Sequence, residues 1–588
     1  MMITIILIDV FTTFQFPNRQ HDNLLLSLGL TTGLITPIAM KGNLLVGLAV
    51  ILYGLLAEAA PVSDEDEAPP SKYSAYKPPK VGRWNTEKIL CPLNPGFRHD
   101  NPTFELINDM VTSRPVSQWI MSPRKYSYFP IKSEYIGTWA YIFTVGPANR
   151  PTRAVVNRLT LDMKAYFQSI DEEYPFELCF IGYAYPTAIV MKKKPSDFYA
   201  ARKAAIEYHE AALAKRPKRL KREFIRRGTL TRLETKEEVV AGVGLPGVPE
   251  ISFPRAPIEL YNEFSTSEVG KVTYFHYSSA GEGVVVYVVD SGCALGHNEI
   301  KPIIFQDYIN AGDFPGDPFT DGLTSGIHGT QMVTKIAGRT SGIARKASIV
   351  MVAIRDGEFL MSLASILDGL MKMYDHIQKY NSNRPCIINI SARLTAVFTP
   401  TGQESGTNLR ILKLENNIMK RLLERFTNLK NVVIVTGAGN DKPGTPINSY
   451  PQVLPRFFPN SKVVVVGAAS VDGLNMAQYD DTIPNFVWAP GQGVLQISDP
   501  DLMPWDKYPN LVQPGPGGTS IAAAATSGLL ATFLARDTGE PEDRIERGIE
   551  LLLKLSWKRN PKGVPIIHNG ITPAQWPQSM RETFGITG

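Results

Sequence analysis

At 588 residues, 44% of them hydrophobic and 20% charged, the chain has the composition of a globular protein with room for three to five domains of roughly 100–200 residues each. Wholesale disorder and a polytopic membrane protein are excluded, and four cysteines exclude a disulfide-dense scaffold. A net charge of +5 from 61 basic and 56 acidic residues gives no reason to expect nucleic acid, and 45 prolines point to many rigid loops.

In chain order, the first informative stretch begins at Met40. One lysine, an apolar run from Leu44 to Leu56 and a small-residue Ala57-Glu58-Ala59-Ala60 neighbourhood describe an export signal over residues 40–60, cleaved near Ala59 or Ala60. The run is shorter than the ~20 residues of a membrane span. Residues 1–39 read as an upstream extension that is not in the native product. The competing reading is an anchor beginning near Leu24, which would make the protein membrane-tethered; a vacuolar destination is the other alternative to secretion.

After an acidic, proline-rich linker, residues 135–145 suit a strand, 152–170 have helical apolar spacing, and 176–191 suggest a pair of strands. From about Ser196 the pattern turns helical and then strongly basic, with three Lys-Arg pairs and one Arg-Arg pair by Arg227. Such a charge run is either a solvated face or, in an exported chain, a processing site between two folded units.

From Gly283 onward the pattern changes. Residues 284–290, 348–354, 386–391, 431–436 and 462–467 are β-branched runs without alternation, the mark of strands covered on both faces. Residues 359–380 read as a helix, and Ile411, Leu414, Ile418, Leu422 and Phe426 form one helical stripe. Strand and helix in alternation imply right-handed crossovers, a mostly parallel sheet and functional groups at the carboxyl ends of its strands.

Three segments carry chemistry: VVDSG with Asp290 at a strand end, HGTQMVTKIAG opening at His328, and GGTSIAAAATSG containing Ser520. Singly they are weak. Together, in the order Asp, His, Ser, they resemble the subtilisin-like serine proteases, or subtilases. TGAGN (436–440) resembles that family's oxyanion-asparagine segment, and the strand ending at Ser391 resembles its substrate-binding strand; the likeness covers roughly residues 250–550. It implies an α/β, subtilisin-like three-layer fold with a mostly parallel central sheet, preceded by a smaller α+β prodomain. The implied organisation is a signal (40–60), a linker and propeptide (61–227) and a catalytic domain (228–588).

The resemblance implies a secreted serine endopeptidase made as a zymogen. Ser520 would be the nucleophile, His328 its base, and Asp290 the group that holds the imidazole, with Asn440 and the Ser520 N–H as oxyanion donors. Protein or peptide substrates are implied along Ser391, Ala392 and Arg393, with the propeptide as inhibitor. No cofactor is needed for the chemistry, a structural calcium common in the family has no local motif here, and a monomer is expected. The alternative is a catalytically silent subtilase-like domain that binds peptides or a partner protein.

Three departures from the family pattern stand out: Ala524 replaces a usual proline, Asp480 lies where serine is common, and Ser391-Ala392-Arg393 replaces the usual Ser-Leu-Gly. Arg393 would narrow the groove, favour acidic substrate side chains, or turn outward. Because it should repel a basic side chain, a separate dibasic-specific protease is expected to cut the Lys-Arg pairs. Cys91 and Cys179 are able to pair. If their strands are parallel neighbours, as in subtilases, Cys293 and Cys386 lie at opposite ends of the sheet and stay unbonded. The Asn389 sequon is expected to be buried in its strand, and His297 to be structural.

Overall fold

The computed structural model describes residues 88–97, 102–120, 128–145, 152–181, 184–185, 238–255, 263–311, 327–354, 361–396, 406–497, 510, 512–514 and 517–586. The expected export signal, its upstream extension and the dibasic segment lie outside these residues. All described residues belong to a single contact unit spanning Asp66–Gly588.

The amino-terminal part is a four-stranded sheet of β1 (Lys88–Pro92), β2 (Tyr128–Ser133), β3 (Gly137–Thr144) and β4 (Phe180–Ile181), in the order β2-β3-β1-β4 and antiparallel throughout. Helices α1 (Pro102–Thr112) and α2 (Arg153–Ser169) pack with it, Ile107, Met110, Val156 and Leu159 sharing one cluster with Ile89, Cys91, Tyr141 and Phe143. Thr152 caps α2 by accepting the Val155 N–H at 3.2 Å, and Val156, Leu159, Met163 and Phe167 form its buried stripe. A disulfide joins Cys91 in β1 to Cys179 just before β4.

The larger sheet contains β5 (Val285–Asp290), β6 (Ile304–Asn310), β7 (Ser348–Ala353), β8 (Cys386–Ile390), β9 (Val432–Gly437), β10 (Val463–Ala469), β11 (Phe486–Pro490), β12 (Trp557–Lys558) and β13 (Pro565–Ile566). Their order is β12-β13-β11-β10-β9-β8-β5-β7-β6, and every pairing is parallel except β12 with β13. Helices α3 (His328–Ala337), α4 (Leu363–Tyr380), α5 (Gly406–Thr427), α6 (Thr519–Arg536) and α7 (Pro541–Leu555) cover it.

Side chains divide strictly by strand parity. Val286, Val288, Ile349, Met351, Ile387, Val433 and Val464 pack with the α3, α6 and α7 residues. Their neighbours Val285, Tyr287, Val289, Val350, Ile388, Ile434 and Val465 pack with α4 and α5. Two buried faces explain the unbroken apolar runs. Burying each such aliphatic side chain contributes about 1.5–3 kcal/mol, so this double core dominates the stability.

The two sheets share one of these cores. Leu90, Ile131, Ile136, Trp139 and Ile142 pack into the cluster that holds the α4 residues. At the edge of this contact the Ser133 hydroxyl donates to Asp375, whose second oxygen accepts the Glu134 N–H at 3.0 Å.

Candidate active site

Strand β5 is buried along all six residues, and its carboxyl end delivers Asp290, fully buried, to the edge of the sheet. His328 opens α3 with its side chain 44% exposed, and its Nδ1 lies 2.9 Å from both Asp290 carboxylate oxygens. The Asp290 Oδ1 also accepts the Ser291 N–H at 2.7 Å. A carboxylate only accepts hydrogen bonds, so Nδ1 must carry the proton and Nε2 is left with the lone pair.

The rest of the His-Gly-Thr motif is steric and structural. A Cβ on Gly329 would lie 2.1 Å from the Gly292 carbonyl oxygen, so only glycine lets the helix close on the Asp290 loop. Thr330 is buried, and its hydroxyl accepts the Ala294 N–H at 3.0 Å, tying the helix to that loop.

Ser520 is the second residue of α6, whose alanine-rich body, Ala522 to Ala525, is buried. Gly518 enters the helix at φ +119°, and a Cβ there would lie 2.8 Å from the Asn440 Oδ1. The Ser520 hydroxyl donates to the Ser391 carbonyl at 3.1 Å, and the Ser391 hydroxyl donates to the Ser520 carbonyl, also at 3.1 Å. This reciprocal pair clamps the carboxyl end of β8 against the start of α6.

Asn440, beyond the end of β9, accepts at Oδ1 from the Thr519 N–H at 2.8 Å and the Thr519 hydroxyl at 3.0 Å. Two donors on one side orient the amide, because the reverse orientation would set donor against donor. Its Nδ2 has no hydrogen-bond partner among the described residues, and the residue is exposed. The Ser520 N–H, in the first turn of α6, is one of the helix donors without an intrahelical acceptor. An anion at this point is favoured by both groups and by the helix dipole.

Residues 281–550 match the family model described as the subtilase family. They form a subtilase domain. Similar proteins include Subtilisin-like protease 5 of Arthroderma gypseum, 26% identical over 282 residues that cover 47% of this chain and 58% of that protein. Alkaline protease 1 of Aspergillus oryzae is 29% identical over 302 residues, covering 50% and 64% respectively. The chain thus spans about three fifths of the length of these relatives. A solved structure of a cold adapted subtilisin-like serine proteinase aligns at 18% identity and a TM-score of 0.36, over 50% of this chain and 91% of that one.

The departures in the subtilase domain have local explanations. Ala524 is buried inside α6, where alanine is the best helix former. Asp480 is paired with Arg456 and caps its own turn, accepting the Thr482 N–H at 2.9 Å and hydroxyl at 2.6 Å. Burial raises its carboxyl pKa, but the Thr482 and Arg456 donors outweigh this and hold it below the usual range. Arg393 pairs with Asp441 at 2.5 Å and with the Gln478 Oε1 at 3.0 Å. Asp441 follows Asn440 directly and was open to notice in the sequence; nothing in the sequence marks Gln478.

Other singled-out residues are structural. His297 is fully buried and its Nδ1 accepts the Glu299 N–H at 3.1 Å. Asn389 is fully buried, donating to the Ser391 hydroxyl at 3.1 Å and accepting from Ser527 at 3.0 Å. Cys293 and Cys386 are buried and belong to no disulfide. Among the described residues no cluster of three His, Cys, Asp or Glu side chains is placed to hold a metal ion, and no helix is long and apolar enough to cross a membrane. No calcium site is therefore assigned.

Two further histidines give the fold a pH dependence. Burial pushes His568 down to about 3 and His276 down to about 4. Each is neutral in the folded state and gains a proton more readily on unfolding, so stability is full above about pH 6.5. It is expected to fall as pH drops from there toward 4 and 3, measured as a declining Tm in a pH series; a Tm constant from pH 7 to 4 contradicts this.

Proposed function

We propose that the chain is a secreted serine endopeptidase, made as a zymogen, that hydrolyses peptide bonds through Asp290, His328 and Ser520. The observation that carries this reading is the buried Asp290 carboxylate 2.9 Å from the His328 Nδ1, with Ser520 at a helix start between the β8 end and Asn440. In this scheme the substrate extends along Ser391, Ala392 and Arg393, and its scissile carbonyl carbon is attacked by the Ser520 oxygen. His328 takes the hydroxyl proton at Nε2 and later delivers it to the leaving amine. Asp290 keeps the proton on Nδ1 and stabilises the imidazolium. The Asn440 amide and Ser520 N–H hold the oxyanion, and a water repeats the cycle on the acyl-enzyme.

Asn440→Ala should therefore lower kcat by about 10²–10³ with little change in KM, the magnitude known from the same position in subtilisin itself. A proportional rise in KM with kcat unchanged would assign Asn440 to ground-state binding instead. The amino-terminal sheet fits an inhibitory propeptide, since it shares a core with α4, the helix facing β7. Removal of this unit after export, by a separate protease at the Lys-Arg pairs, is part of the proposal.

One observation favours a silent, peptide-binding domain: the Ser520 hydroxyl donates to a backbone carbonyl, Ser391. Hydrogen bonds to the base commonly tighten only when substrate is present, so the resting arrangement does not decide. Labelling the processed chain with a fluorophosphonate does. Ser520-dependent labelling is expected, and its absence would favour the silent domain.

A further inference from the structure

The guanidinium of Arg393 is neither free in solvent nor folded away. A Cβ on Gly439 would lie 2.7 Å from its Nη2, which puts the cation directly over the backbone that precedes Asn440. It spans the gap between the end of β8, clamped to Ser520 through Ser391, and the segment after β9 that carries Asn440. In the proposed scheme, a substrate that runs along Ser391, Ala392 and Arg393 with its oxygen on Asn440 brings the side chain before the scissile bond to this gap.

The cation is also preorganised. One nitrogen, Nη2, donates to Asp441 at 2.5 Å and to the Gln478 Oε1 at 3.0 Å. Gln478 is fully buried, and the same Oε1 accepts the Asp441 N–H at 3.2 Å, so one anchor fixes both partners. Because both the Arg393 Nη2 and the Asp441 N–H are donors, the Gln478 amide must present its oxygen to them. With Nη2 committed, Nε and Nη1 have no partner among the described residues. Both bidentate edges of the guanidinium share Nη2, so what remains for a ligand is a single charge-assisted hydrogen bond from Nη1, and a cation already held in place loses little entropy on making it.

We infer that Arg393, held by Asp441 and Gln478, is a specificity determinant that selects an acidic side chain, glutamate or aspartate, immediately before the cleaved bond. The inference rests on the endopeptidase reading. A glutamine in that place loses the charge-assisted pair, and a lysine meets the guanidinium as a like charge. Asp441 is half exposed, so solvent screens its charge from an incoming carboxylate.

The test compares the processed full-length chain with Arg393→Gln on peptides that differ only at the residue before the scissile bond, Glu, Gln or Lys, with fluorophosphonate labelling run in parallel. The expected result is a kcat/KM about tenfold higher for Glu than for Gln and lowest for Lys, with the ratio of Glu to Gln falling to about one in Arg393→Gln; labelling reports whether Ser520 is competent in each chain. A chain that labels but cleaves Glu and Gln peptides equally, or a Glu preference that survives Arg393→Gln, overturns the acidic selection and leaves the endopeptidase reading standing. A chain that neither labels nor cleaves any peptide removes both.

Discussion

Ser520→Ala is expected to abolish fluorophosphonate labelling and to lower kcat by about 10⁶, the loss known for the nucleophile of subtilisin itself. The fold should survive, because the lost hydroxyl donates only to the Ser391 carbonyl, while the Ser391 hydroxyl still reaches the residue 520 carbonyl at 3.1 Å. Losing one hydrogen bond costs about 0.5–1.5 kcal/mol, so Tm should move by a few degrees at most. A variant that keeps more than one part in a thousand of the hydrolysis would place the nucleophile elsewhere. The serine to test next would then be Ser291, whose hydroxyl donates to the Asp290 Oδ1 at 3.2 Å and accepts the Gly329 N–H at 3.2 Å.

Asp290→Asn is expected to lower kcat by about 10⁴, as the equivalent change does in serine proteases of this triad type. The surroundings of Asp290 say why. One carboxylate oxygen accepts the Ser291 N–H at 2.7 Å, so the oxygen of an asparagine stays there and its NH₂ is turned toward His328. The NH₂ facing Nδ1 sets donor against donor, which favours the imidazole tautomer protonated on Nε2, where it no longer serves as a base for Ser520. Nitrogen-15 NMR of the variant should find His328 protonated on Nε2, with Tm nearly unchanged. A variant with the wild-type tautomer and a 10⁴ loss would point to charge stabilisation alone.

Much of the scaffold was legible because its signals are local. The run at 284–290 emerges as Val285–Asp290, that at 431–436 as Val432–Gly437, and the helical pattern at 359–380 as Leu363–Tyr380. Each is a stretch whose period and β-branching report burial directly. Ile304–Asn310 escaped notice because it is an edge strand, with Ile304, Phe305 and Gln306 left at least partly exposed, so no apolar run marks it. Phe486–Pro490 ends in a proline, tolerated at the very end of a strand. Lys88–Pro92 likewise ends in proline, whereas Tyr128–Ser133 carries Pro130 in its interior, tolerated because it is an edge strand.

The length and the few cysteines, which at first allowed several ordinary domains, resolve among the described residues into two principal sheets that share one apolar cluster, with a single disulfide, Cys91 to Cys179, in the smaller part. What the sequence by itself determined is the set of residues whose chemistry depends on their immediate neighbours. Asp290 needs a strand end, His328 a Gly-Thr helix opening, and Ser520 a glycine-led helix start, and each requirement is met within a few residues of chain. Only the tertiary structure decided what Arg393 does. Its partners Asp441 and Gln478 lie 48 and 85 residues away, on the segments after β9 and β10, which meet it because β8, β9 and β10 are consecutive in the sheet. A side chain's charge is written in the sequence, but its direction is set by which strands the fold makes neighbours.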